Sequence, residues 1–119
     1  GIATTRALAT AIASGAGVVS VPDIGKPWVV EPISGVSFAS PSCHGGYLDH
    51  PMVFCLGKNF SHRTLRFEPG AVVEARRGAF HGLGDSLLKS YGATDITIVG
   101  HGATLRMHRE DYRNSSLCE

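Results

Sequence analysis

The sequence predicts an all-β chain, a solenoid of short parallel strands with one helix closing its amino-terminal end, and three observations carry that prediction. The segment Asp95-Ile96-Thr97-Ile98-Val99-Gly100-His101-Gly102-Ala103-Thr104-Leu105-Arg106-Met107 is an alternating strand, a Gly-x-Gly corner and a second alternating strand with nothing between. The phrase recurs: Leu65 and Phe67 match Ile96 and Ile98, Gly70-Ala71 matches Gly102-Ala103, and Val73 matches Leu105, at offsets of 31 or 32 residues (65 to 96, 70 to 102). Self-similarity at such a period is the signature of stacked repeats, each unable to bury its own apolar face without a neighbour. The composition agrees, with 43% hydrophobic residues, 15 glycines for corners and 6 prolines that oppose long helices.

In chain order, Thr4 or Thr5 is placed to cap a helix over residues 4–14, whose apolar stripe Leu8, Ala11 and Ile12 follows helical spacing and which Gly15 and Gly17 end. A helix there covers a sheet end that would otherwise leave backbone groups unpaired. Val18-Val19-Ser20-Val21 reads as a strand stopped by Pro22, and Trp28-Val29-Val30 as a second after the Gly25-Lys26-Pro27 turn. Residues 34–63 interrupt the pattern with a Ser, Gly, Pro and His-rich excursion containing Met52-Val53-Phe54-Cys55-Leu56. It is either a long side loop with one strand of its own or an interrupted coil. From Thr64 the pattern recovers, with a glycine-rich corner insertion after Arg76 and a third short strand at Ser86-Leu87-Leu88. Stacked aliphatic residues, Val73 beneath Leu105 and Leu65 or Phe67 beneath Ile96 or Ile98, are expected to fill the interior.

Val18 to Pro22, Phe67-Glu68-Pro69-Gly70-Ala71-Val72-Val73-Glu74-Ala75 and the phrase from Asp95 to Leu105 together resemble the amino-terminal end of right-handed parallel β-helix proteins of the pectate-lyase-like superfamily. In that family a short capping helix commonly precedes the first coils. The resemblance implies an all-β, right-handed parallel β-helix in one domain. Residues 1–17 would be the capping helix, 18–33 the first coil, 34–63 an inserted loop, 64–108 the repeated coils and 109–119 a tail. The sequence ends soon after a strand, where such a fold would continue, which suggests a truncated end.

At 119 residues the chain is one domain or a piece of one. A formal charge of +1 gives no reason to expect nucleic acid or an anionic membrane. No stretch reaches the roughly 18 apolar residues of a membrane span, and residues 7–19 lack the basic flank of a secretion signal. Among three cysteines, Cys43 and Cys55 bracket a short loop and form the candidate disulfide in an oxidising compartment, against the alternative of three reduced thiols.

Three constellations are candidates for chemistry. Cys43, His44, His50, Cys55 and His62 are zinc-type ligands, but no Cys-x-x-Cys occurs and the spacing is wrong for a paired knuckle, so no metal and no cofactor are expected. Arg106, His108, Arg109, Glu110, Asp111 and Tyr112 form a polar cluster leaving the last strand. Alternation sends Arg106 and His108 outward, and the resemblance implies that such an outer surface binds or cleaves an acidic sugar. Arg106, His108, Arg109 and Asp111 are therefore the candidate polysaccharide contacts, against a solvated edge with local ion pairs. Arg76-Arg77-Gly78 at a glycine corner is suited to an anion, although glycine is also what any tight corner requires.

The resemblance implies the amino-terminal cap and scaffold of an extracellular or periplasmic carbohydrate-active protein, a lyase or hydrolase, with the segment itself not catalytic. The competing expectation is a non-enzymatic structural module that forms homo-oligomers through its open end. A third is a small binding module using residues 34–63. The step from fold to sugar is an analogy.

Overall fold

A computed structural model describes residues 2–31, 52–79 and 86–108. Helix α1 spans Ile2–Ala13, and eight strands follow: β1 (Val18–Val21), β2 (Trp28–Val30), β3 (Met52–Gly57), β4 (Thr64–Phe67), β5 (Val72–Ala75), β6 (Ser86–Tyr91), β7 (Thr97–Val99) and β8 (Thr104–Arg106), with a 3-10 turn over Lys58–Phe60. The strands form three small sheets, ordered β1-β4-β7, β2-β5-β8 and β3-β6, and every strand pair is parallel.

The repeat therefore marks strand pairing. Val73 pairs with Leu105 as expected, and of the two partners left open for Leu65 the structure selects Ile98, two residues beyond the direct repeat match to Ile96, which keeps each side chain on its own face. The Gly70 to Gly102 match is a direct contact, since the Gly70 N–H donates to the Gly102 carbonyl at 2.8 Å.

The fold class is corrected. The expected all-β, right-handed parallel β-helix is replaced by a mixed α/β arrangement, in which two three-stranded sheets, one two-stranded sheet and a helix share one core and no closed coil is traced among the described residues. The radius of gyration, 13.7 Å, matches the roughly 13.5 Å of a compact domain of this length. The physical reason lies in α1, which is part of the core and not a lid laid over a finished coil. Its Leu8, Ala9 and Ile12 are buried among Val19, Val21, Val30, Leu56, Phe60, Leu65, Phe67 and Val73.

Thr4 and Thr5 lie within α1, which begins before them, and neither is its cap. Thr5 is fully buried and its hydroxyl accepts the Glu31 N–H at 3.0 Å, fastening the helix to the end of β2. Between β1 and β2 the Trp28 indole donates to the Pro22 carbonyl at 2.8 Å. The segment expected as an inserted loop contributes β3, which pairs with β6, and the 3-10 turn that buries Phe60. β6 runs to Tyr91, three residues past the strand expected from the sequence.

Candidate functional site

Two regions combine unusual geometry with exposure: the edge formed by β7 and β8, and the corner where His62 meets Asp95. The edge arises from register. Leu65 and Val73 are each fully buried, while their pairing partners one strand further on, Ile98 and Leu105, are 45% and 40% exposed. Positions that are interior in β4 and β5 are thus uncovered in β7 and β8, and among the described residues neither strand has a neighbour on its other side. The Thr97 N–H donates to the Arg63 carbonyl and the Thr104 N–H to the Ala71 carbonyl. Backbone groups alternate sides along a strand, so the N–H and C=O of Ile98 and of Leu105 face outward.

At the corner, His62 and Asp95 both hold left-handed backbone, with φ of 63° and 54°. Histidine and aspartate tolerate that region better than most residues. The His62 Nδ1 lies 2.9 Å from the Asp95 carboxylate, the His62 N–H donates to the Thr94 carbonyl, and the Thr94 N–H donates to the Ser61 hydroxyl. A hydrogen bond from Nδ1 to the carboxylate would fix the orientation of the imidazole ring. Both side chains are largely exposed. The Ser61 hydroxyl oxygen accepts both bonds from Thr94, from its backbone N–H and from its hydroxyl.

Beside it, Arg63 is buried. Its Nε donates to the Ala16 carbonyl at 2.6 Å, its guanidinium lies 4.2 Å from the Phe60 ring centroid, and one terminal nitrogen, Nη2, has no partner. Burial pushes the Arg63 guanidinium below its ordinary pKa.

Of the expected polysaccharide contacts, Arg106 lies in β8 with its Nε donating to Glu74 at 2.8 Å, and His108 is half-buried just beyond it. Arg109 and Asp111 lie outside the described residues, as do Cys43, His44 and His50. Cys55 sits in β3 and His62 in the corner pair, and no group of three or more metal-ligating side chains occurs among the described residues. Arg76, just after β5, pairs with the buried Glu31, just after β2, which ties two neighbouring strand ends together. A shallow depression of about 310 Å³ is lined by Asp23, Lys26 and Gly70 among others, and Asp23 there accepts the Gly25 N–H.

Sequence reasoning placed His62 in a ligand cluster and did not pair it with Asp95. The repeat held the signal, since the two lie one 33-residue step apart at the mouths of β4 and β7. No family model matches the chain, and no curated protein or solved structure does.

Proposed function

We propose that this chain is a structural, non-catalytic module that self-associates through the strand edge formed by β7 and β8. One observation carries the reading: Ile98 and Leu105 continue the buried positions of Leu65 and Val73 but are left exposed. A strand edge of this kind is a template for another chain, offering backbone hydrogen bonds and uncovered aliphatic surface together. The polar groups also favour structure over turnover, because Arg106 is held by Glu74 and Arg76 by Glu31. A scaffold role within a carbohydrate-active protein rests on the sequence resemblance alone.

Sedimentation velocity across a concentration series, with amide exchange read in residues 97–106, tests the reading. We expect concentration-dependent association, with slowed exchange at the Ile98 and Leu105 amides. A strict monomer at the highest attainable concentration overturns it.

A further inference from the structure

We infer that Asn59 is the acceptor of an N-linked oligosaccharide, attached before the chain folds and carried on the surface of the folded protein. The inference is independent of self-association. Asn59-Phe60-Ser61 is an acceptor triplet, Asn-x-Ser with x other than proline. In the transfer, the Asn59 amide nitrogen bonds to the anomeric carbon of a sugar chain carried on a lipid diphosphate. The carbon–oxygen bond to the diphosphate breaks with its electron pair and the amide gives up one proton, so nothing is oxidised or reduced.

A triplet alone is a common accident, and the placement of this one is what carries the inference. Asn59 is the middle residue of the 3-10 turn Lys58–Phe60, which leads from β3 toward β4. A 3-10 turn has about three residues per turn, so one side chain inward leaves its two neighbours outward. The inward one is Phe60, fully buried with the Arg63 guanidinium over its ring, while Lys58 and Asn59 are exposed. A sugar chain on Asn59 therefore projects into solvent, and Phe60 keeps its packing beneath.

Ser61 sets the order of events. Its hydroxyl completes the triplet that a transferase must read, yet in the fold that oxygen accepts the Thr94 N–H at 2.9 Å, from 33 residues further along. Folding thus occupies the recognition group, and transfer has to precede the contact with Thr94.

The test secretes the full chain from a eukaryotic cell behind a cleavable signal and reads Asn59 and Asn114 separately by peptide mass spectrometry. Most of the secreted chain should carry a glycan on Asn59, with a circular dichroism spectrum matching that of bare chain made in bacteria. Ser61→Thr keeps the hydroxyl and should stay modified, whereas Asn59→Gln and Ser61→Ala should lose the glycan at this site. Purified transferase with its lipid-linked donor should leave Asn59 bare on the folded bacterial chain. Secreted chain with Asn59 unmodified, modification that survives Ser61→Ala, or a glycosylated chain with a disrupted spectrum overturns the proposal. Equal modification of the folded chain overturns the order of events.

Discussion

Ile98 stands one strand above Leu65 in the same register, yet Leu65 is fully buried and Ile98 is 45% exposed. One repeated position thus has two environments: β4 lies between β1 and β7, whereas β7 is the last strand of its sheet among the described residues. Leu65→Ala should cost about 2–5 kcal/mol, since it opens a cavity in a closed core, while Ile98→Ala should cost under about 1 kcal/mol in the monomer. Urea unfolding of both variants at a dilution that keeps the chain monomeric measures the contrast. Equal losses would mean that β7 is covered in solution.

Thr5 links α1 to the end of β2 through its contact with Glu31. In Thr5→Val the shape is nearly kept but the buried Glu31 N–H loses its acceptor, so stability should fall by about 1–3 kcal/mol. Thermal unfolding with helix content as the probe reads the loss, and a neutral outcome would deny that the helix is fastened there.

Gly70 and Gly25 share left-handed φ values of 84° and 78° but differ in surroundings. A Cβ at Gly70 would meet the Asp23 carboxylate at 2.6 Å, whereas one at Gly25 would meet nothing within 4 Å. Gly25→Ala should therefore cost about 1 kcal/mol from backbone strain alone, and Gly70→Ala more, because the Asp23 turn must also shift. Denaturant midpoints that rank the two in the other order would contradict the corner packing.

Arg63 is a buried cation with one nitrogen unpartnered. Arg63→Met keeps an unbranched apolar side chain at this site and removes the stranded donor, so its stability should stay within about 1 kcal/mol of the parent. Arg63→Ala should lose about 3 kcal/mol through lost packing. If Arg63→Met is as damaging as Arg63→Ala, the bond to the Ala16 carbonyl outweighs the desolvation of the charge.

The Glu74 and Arg106 pair bridges β5 and β8 at the surface, with Arg106 about half exposed. Glu74→Gln should change stability by less than about 1 kcal/mol, and the change should shrink in high salt as screening replaces the partner. A loss that persists in high salt would point to packing in place of charge.

The sequence by itself determined the strands, their parallel stacking and part of the core, Leu8, Ile12, Leu65, Phe67 and Val73, but it also expected Leu105 in the interior, where the structure leaves it 40% exposed. Alternation at Val18 to Val21, Leu65 to Phe67 and Val72 to Ala75, together with glycine corners at 70 and 102, depends on neighbours along the chain and on a repeat that a single sequence displays. Whether Leu65 lies under Ile96 or Ile98 stayed open in the sequence, because period-two patterning is satisfied equally by either register, and the structure selects Ile98. Tertiary structure also decided the class. An amphipathic helix reads the same whether it lies over an end or enters the core, and the burial of Leu8, Ala9 and Ile12 among strand residues makes the fold mixed. The same holds for the candidate site. That Asp95 turns toward His62, and that Ile98 is uncovered while Leu65 is not, are facts of strand order in space. Local sequence cannot encode them, because they depend on which strand is last in its sheet among the described residues.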